Sequence, residues 1–307
     1  MRPDDMLNTA MEHAIEPYIT ECRLCPRECR ANRLMFPGRC GGGHRAAVNL
    51  HCLHRGEEPV LSGSRGSGTV FFSHCAMRCV YCQNHRISQE GLGTPRSIAG
   101  LCDMTLELQE TGAHNINLVT ASHYTPHAAA ALRMALDRGL RIPVVWNSSA
   151  YEKPETLRLL EGLVDVYLPD LRYHNGETAA RYSGAPDYPE RARDAILEMF
   201  RQAGHLRVEE GLAVSGVMIR LLLLPGRTRE IRESLSWIRD ALGRETWISL
   251  MGQYYPAHRA GEYPEINRAV SAGEYSQCLE YLEDLGFENG FTQEVGSSAA
   301  FTPDFAR

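Results

Sequence analysis

The sequence predicts an α/β protein with parallel strands, preceded by a cysteine-rich segment with little hydrophobic periodicity. From Gly68 onward, short runs of β-branched and aromatic residues alternate with helical stretches. Several of those stretches end at a glycine, as helices commonly do. Between residues 21 and 67, in contrast, Gly, Pro, Arg and Cys dominate, and such a composition does not build a core of its own. We therefore predict two units, a cysteine-rich metal-binding module over residues 1–67 and a barrel over residues 68–307.

Six runs have the composition of strands, and predicted helices separate them. The strands are 69–72, 115–119, 144–146, 164–168, 217–224 and 247–250. Helices are predicted over the first 20 residues, from Ser97 to Gly112, over 128–138, 155–161 and 190–203, and after a capping box at Ser271 and Glu274. This alternation gives parallel strands joined by right-handed crossovers, in a partial barrel or in a doubly wound sheet. In both architectures, functional groups gather at the carboxyl ends of the strands.

Composition argues against two classes of function. The formal net charge is −6, and no long Lys or Arg block offers nucleic-acid phosphates a contiguous partner. No apolar run is long enough to span a membrane, and the first residues lack the apolar region of a secretory signal. We therefore expect a cytoplasmic protein that binds neither nucleic acid nor membrane.

Ten cysteines are many for a protein of this kind, and eight of them lie between Cys22 and Cys82. In a reducing cytosol, thiols at this density are better explained as metal ligands than as disulfides. One group consists of Cys22, Cys25, Cys29 and Cys40, and the other consists of Cys75, Cys79 and Cys82. We interpret the remaining cysteines as small buried hydrophobic residues. These are Cys52, Cys102 and Cys278.

The second group directly follows the strand predicted at 69–72, which places three thiolates on a strand-to-helix loop. Three thiolates can bind three irons of a 4Fe-4S cluster and leave the fourth iron open to a small chelating ligand. A zinc knuckle completed by His74 or His85 is the alternative. The preceding strand, and Tyr81 beside the last cysteine, favour the cluster.

The first group places four cysteines within 19 residues, among Pro26, Gly38 and the three glycines 41–43. Four thiolates in tight turns suit tetrahedral zinc and an all-cysteine 4Fe-4S cluster equally. Zinc would be structural here, whereas an iron-sulfur cluster would relay electrons or bind substrate. The sequence leaves both open and predicts a second metal centre.

The cluster loop has a familiar pattern. A C-x3-C-x2-C motif after the first strand, Tyr81 before the third cysteine and Gln83-Asn84 after it resemble the radical S-adenosylmethionine (SAM) superfamily. The uncharacterised relatives of pyruvate formate-lyase activating enzyme are particularly similar. The resemblance continues through 57–59, 62–63, 66–72, 115–124, 167–173, 187–190 and 220–226.

This resemblance implies a partial (β/α)6 barrel and an oxidoreductase. A 4Fe-4S cluster on Cys75, Cys79 and Cys82 would reduce SAM to a 5'-deoxyadenosyl radical, which abstracts hydrogen from a substrate. It further implies a reducing partner such as flavodoxin or ferredoxin, and a glycine on a glycyl-radical enzyme as the substrate. Radical modification of a small molecule or a peptide is the alternative, because one fold hosts many such reactions.

The resemblance also implies where SAM binds. The superfamily has a Gly-Gly-Glu-Pro-like loop after its second strand, but this chain has Thr120-Ala121-Ser122-His123-Tyr124 there and lacks the carboxylate. Thr120 and Ser122 are therefore the candidates for the SAM amino group, together with backbone carbonyls. The other candidates are Asn147, Asp170 and Arg220.

A protein of another class would carry two structural metal sites and catalyse nothing. Such a protein should have two closed sites of four ligands. Cys75, Cys79 and Cys82 have no nearby fourth cysteine in the sequence, which favours an enzyme.

Overall fold

The computed structural model describes the backbone of residues 3–293 and the side chains of residues 11–293. One sheet of ten strands organises this part of the chain. The strands are β1 Ala46–His54, β2 Ser67–Phe72, β3 Thr94–Arg96, β4 Ile116–Val119, β5 Val144–Ser148, β6 Val166–Pro169, β7 Arg207–Glu209, β8 Leu212–Leu222, β9 Trp247–Met251 and β10 Gly290–Thr292.

Helices cover the connections. They are α1 Pro3–Thr20, α2 Pro59–Ser62, α3 His85–Ser88, α4 Ile98–Glu110, α5 Thr125–Asp137, α6 Pro154–Leu157, α7 Gly176–Ser183, α8 Tyr188–Ala203, α9 Thr228–Leu242 and α10 Ala272–Asp284. Short 3-10 turns follow β4, α6 and β9. No helix among the described residues is long and apolar enough to cross a membrane.

The strands follow the order β10-β9-β8-β6-β5-β4-β2-β1-β3, with β7 paired to β8. From β2 to β10 along this path every pairing is parallel, whereas β1 runs antiparallel to both β2 and β3. In this part of the chain the path does not close, so the sheet forms a partial barrel, as predicted. The residues of β2, β5 and β6 are all buried, because parallel strands are covered on both faces.

Local sequence explains where the helices begin. The hydroxyl of Ser97 accepts from the backbone N–H of Gly100 and starts α4, and Ser271 forms the expected capping box with Glu274 at α10.

The six predicted strands are all present as β2, β4, β5, β6, β8 and β9.

Strands β1, β3, β7 and β10 were not predicted. The alternation of Val48, Leu50 and Cys52 with polar residues is a strand signal inside a stretch whose composition reads as loop. Because β1 pairs with β2 over 48–54, the sheet extends across residue 67. The division into two units at that residue stays a prediction.

A short plug closes the barrel at the amino-terminal ends of its strands. After β1 the chain turns into α2, whose Val60 and Leu61 pack against Val145 of β5 and Val166 of β6. The Asn115 side chain donates to the Leu61 carbonyl at 2.8 Å. The plug places the preceding residues inside the barrel.

Candidate active site

The loop after β2 carries the three cysteines predicted to bind a cluster. His74 and Arg78, which flank Cys75 and Cys79, have φ values of 72° and 50°. Non-glycine residues rarely adopt this left-handed conformation, and it persists only where surrounding contacts impose it. The backbone N–H of Val80 donates to Tyr182, and that of His74 donates to Ile87. The loop conformation is therefore fixed by its neighbours.

Each thiol of this group has a hydrogen-bond donor beside it. The Ser183 hydroxyl donates to Cys79 Sγ at 3.0 Å, and the backbone N–H of Met77 lies 3.4 Å from Cys75 Sγ. Cys82 Sγ and Ser88 Oγ are 3.2 Å apart. Donors of this kind stabilise thiolates bound to iron, so the three residues fit a 4Fe-4S cluster.

A chain of hydroxyls lies behind Cys79. Tyr81 donates to Tyr173 at 2.8 Å, Tyr173 and Ser183 are 2.7 Å apart, and Ser183 contacts the sulfur. Tyr173 and Tyr81 are almost fully buried. Tyr81, the aromatic residue before the third cysteine, is therefore connected through these hydroxyls to the second cysteine, Cys79.

Burial raises the pKa of the Cys75 thiol and raises the pKa of Cys82 to about 12. The nearby Cys79 adds to both shifts. Without metal these two thiols are protonated at neutral pH, so cluster binding must release their protons.

The three cysteines open onto a cavity of about 240 Å³ at the carboxyl ends of the strands. Thr120, Asn147, Asp170 and Arg220 all line it. Ser122 is not among its lining residues. The Ser122 side chain instead hydrogen-bonds the buried carboxylate of Glu152 in the wall behind the cavity. Thr120 has a φ of 61°, a strained conformation at the cavity wall.

Paired charges run along one side of the cavity. Arg172 donates to Asp170 at 2.5 Å, and Asp170 accepts from Arg220 Nε at 2.7 Å. Arg220 also donates to Glu57 at 3.1 Å and to the Asn147 side chain at 2.6 Å. Buried charges need such compensation, so the four groups form one unit.

Glu57 is the member of this unit that the sequence analysis did not select. It lies just before the plug, and its carboxylate accepts from Asn117 at 3.0 Å and from Asn147 at 3.3 Å. Burial raises the pKa of Glu57 to about 7, although the Arg220 guanidinium opposes this shift. Glu57 is far in sequence from the strand ends that line the cavity. Only the turn into α2 brings its side chain to the cavity wall, so a sequence pattern does not reveal it.

The first cysteine group folds beside the cluster loop. Cys22, Cys25 and Cys40 are buried and Cys29 is exposed. An ideal Cβ built on Gly38 would lie 3.4 Å from Cys40 Sγ and 3.6 Å from Cys29 Sγ. Burial raises the pKa of Cys25 to about 12, and the three other thiols add to this shift.

Among the residues that the structure describes, no group of three or more Cys, His, Asp or Glu side chains converges on the position of one metal ion. The second metal centre, and the choice between zinc and a 4Fe-4S cluster at Cys22, Cys25, Cys29 and Cys40, stay predictions.

Comparisons with known proteins identify the family of the chain. The radical SAM superfamily matches residues 69–238, which is more than half of the chain. An uncharacterised protein of Methanocaldococcus jannaschii is 31% identical over 281 residues, covering 87% of this chain and 75% of that protein.

Among solved structures, a domain of pyruvate-formate lyase-activating enzyme from Bacteroides vulgatus aligns with a TM-score of 0.40 and 15% identity. It covers 56% of this chain and 92% of that domain. The assignment therefore rests on the family match, on the archaeal relative and on the three cysteines at the barrel mouth. The chain belongs to the radical SAM superfamily.

Proposed function

We propose that the protein cleaves SAM reductively at a cluster on Cys75, Cys79 and Cys82 and uses the radical to abstract hydrogen. The observation that carries this proposal is the position of the three thiols, which share a strained loop at the mouth of a cavity. When bound, the cluster supplies one electron to the sulfonium of SAM and leaves methionine and a 5'-deoxyadenosyl radical.

The polar groups of the cavity would orient SAM. Thr120 at the end of β4 and Asn147 in β5 offer a hydroxyl and an amide to the methionine or ribose part. Arg220 donates to both Asp170 and Asn147 and holds these side chains in place. Glu57 supplies the carboxylate that the loop after β4 lacks, whereas Ser122 has no part in our proposal.

The test is anaerobic SAM cleavage with dithionite as the electron donor. Cys79→Ala should lose 5'-deoxyadenosine formation and the reduced-cluster signal in electron paramagnetic resonance (EPR), because two thiolates do not hold the cubane. Cys52→Ala, at a half-buried cysteine of β1 outside both groups, should retain both. A Cys79→Ala protein that released 5'-deoxyadenosine at the parent rate would refute the proposal and favour a non-catalytic metal protein.

The proposed substrate is a glycine on a partner glycyl-radical enzyme. Among residues 3–293, β3 and β10 do not pair with each other, and the gap between them supports access for a chain segment of such a partner. Its test is a glycyl-radical EPR signal when the protein, SAM and dithionite are incubated with that partner.

A second candidate is radical modification of a small molecule or a peptide. The paired charges of Glu57, Asp170, Arg172 and Arg220 on the cavity wall favour a small polar substrate. Transfer of deuterium from such a substrate into 5'-deoxyadenosine would identify it.

The proposal has three remaining parts: a second metal centre, a reducing partner and a cytoplasmic location. The second metal centre would bind to Cys22, Cys25, Cys29 and Cys40. The reducing partner would be of the flavodoxin or ferredoxin type. All ten cysteines lie in the described region as free thiols, which suits a cytoplasmic location.

A further inference from the structure

The segment 21–45, which we call the input module, differs in charge from the rest of the chain. It contains six arginines and two glutamates, and four of the arginines are exposed together with both glutamates, a surplus of two positive charges at the surface of a protein whose net charge is −6. Three large apolar side chains at its tip are exposed: Leu34 by 48%, Met35 by 70% and Phe36 by 68%. Adjacent exposed apolar residues beside positive charge are typical of a protein docking surface.

Arg27 connects this module to the cluster loop. It lies between Cys25 and Cys29, and its Nε donates to the carbonyl of Ala76 at 3.1 Å. Its Nη2 donates to the carbonyl of Ser183 at 2.8 Å. Ala76 lies between Cys75 and Cys79, and Ser183 donates to the Cys79 sulfur. One guanidinium therefore contacts the surroundings of both cysteine groups.

A second connection runs through Gly41 and His74. An ideal Cβ on Gly41 would lie only 2.5 Å from His74 Nδ1, so this glycine is pressed against the imidazole. Gly41 follows Cys40 and His74 precedes Cys75. Two peptide steps of 3.8 Å and one imidazole ring therefore separate Cys40 from Cys75, at most about 15 Å between their Cα atoms.

Cys29 is the exposed member of its group, and Arg30, which follows it, and Arg39, which precedes Cys40, are exposed too. A centre bound there would have one ligand at the surface, while Arg27 and Gly41 connect its surroundings to the cluster loop. A structural zinc needs neither property.

We propose that the input module binds a 4Fe-4S cluster on Cys22, Cys25, Cys29 and Cys40, and that this cluster receives electrons from an acidic carrier protein and passes them to the cluster on Cys75, Cys79 and Cys82. The inference rests on the proposed SAM cleavage. One electron leaves the reduced carrier, which becomes oxidised, and reaches the SAM-binding cluster through the module. It is consumed when the carbon–sulfur bond of SAM breaks, and no proton is needed.

Metal content gives the first test. Anaerobically purified wild-type protein should contain about eight irons per chain, and the triple variant Cys75→Ala/Cys79→Ala/Cys82→Ala about four, with an EPR signal after reduction. Four irons with one zinc in the wild type would overturn the proposal, as would four irons with no second metal. The wild-type count decides even if the triple variant fails to fold.

Proximity gives the second test. In the fully reduced wild type, spin–spin interaction between the two clusters should broaden the EPR spectrum. The reference is the sum of the triple-variant spectrum and that of Cys25→Ser/Cys40→Ser. A wild-type spectrum equal to that sum would show that the two centres are not neighbours and would overturn the electron path.

Docking gives the third test. The double variant Arg30→Glu/Arg39→Glu should lower the ratio of the cluster reduction rate with reduced flavodoxin to that with dithionite by about tenfold. The matched control Arg207→Glu/Arg229→Glu reverses two exposed arginines outside the module and should leave the ratio unchanged. Equal ratios in both variants would refute docking at the module.

The outcomes separate the two proposals. SAM cleavage by wild-type protein with dithionite, together with only four irons, would refute the electron path and leave the proposed function intact. Eight irons without SAM cleavage would refute the proposed function alone.

Discussion

The hydrogen bond from Ser183 to Cys79 makes a quantitative prediction for the reduction potential of the cluster. Ser183→Ala removes the hydroxyl that lies 3.0 Å from the sulfur and leaves Cys79 itself in place. A hydrogen bond to a charged group contributes about 1.5–3 kcal/mol. It stabilises the reduced cluster more than the oxidised one, because the reduced cluster carries more negative charge.

If about a third of that free energy is gained on reduction alone, the difference is roughly 0.5–1 kcal/mol. For a one-electron couple, 59 mV corresponds to a tenfold change in the equilibrium constant. We therefore expect the potential of the cluster to fall by about 20–40 mV in Ser183→Ala. Ser88→Ala, which removes the hydroxyl 3.2 Å from Cys82 Sγ, should lower it by a similar amount.

The assay is an EPR-monitored redox titration in the presence of SAM, whose binding identifies the signal of this cluster. Ser276→Ala removes an exposed hydroxyl on α10 that contacts Glu280, and it serves as the matched control. A potential that is unchanged or higher in Ser183→Ala would contradict the assignment of the hydroxyl chain to the cluster.

Three further predictions concern packing and charge. Gly41→Ala should reduce iron incorporation at Cys75, Cys79 and Cys82, because its new Cβ meets His74 and its φ is +97°, whereas Gly43→Ala, which has open space, should not. Asp170→Asn should lower the free energy of unfolding by about 3–5 kcal/mol, since it leaves Arg172 and Arg220 poorly paired. Its control is Asp103→Asn, in the exposed pair with Arg138, which should change that free energy by no more than about 0.5 kcal/mol in denaturant titrations. For Glu57, burial raises the pKa from its ordinary value of 4.5 to about 7, so wild-type stability relative to Glu57→Gln should be greatest below pH 4.5 and fall as the pH rises through 7. The loss amounts to about 3 kcal/mol, and parallel unfolding profiles of the two proteins between pH 5 and 8 would contradict it.

The sequence predicted the parts of this protein that depend on local pattern. The strands of the barrel are short β-branched runs that alternate with helical stretches, and the first of the cluster cysteines, Cys75, follows the end of β2 by three residues. Asn147, Asp170 and Arg220 were named from the family resemblance, and the structure brings them into contact with each other. Their role in binding SAM stays a prediction.

The sequence pattern did not predict contacts between segments that are far apart in the chain. Ser183 lies 104 residues after Cys79, and Arg220 lies 163 residues after Glu57. Ser122 does not line the cavity, for a different reason. It stands at the expected place after β4, but the chain turns at Thr120 and carries the Ser122 side chain away to Glu152. Position along a strand predicts the neighbourhood of a side chain, whereas the following turn decides its direction.

Our proposal assigns Glu57 the role of the carboxylate that the loop after β4 lacks. A side chain at that loop would approach SAM from the mouth, whereas Glu57 would approach from inside the barrel. The plug holds it there, because Val60 and Leu61 of α2 cannot leave the core without exposing their apolar surface. A carboxylate fixed in this way is paired with Arg220, so its charge is available to a ligand only when the ligand also engages that arginine. Under this proposal the inner wall would bind molecules that present an amino group and a carboxylate together, as the methionine part of SAM does.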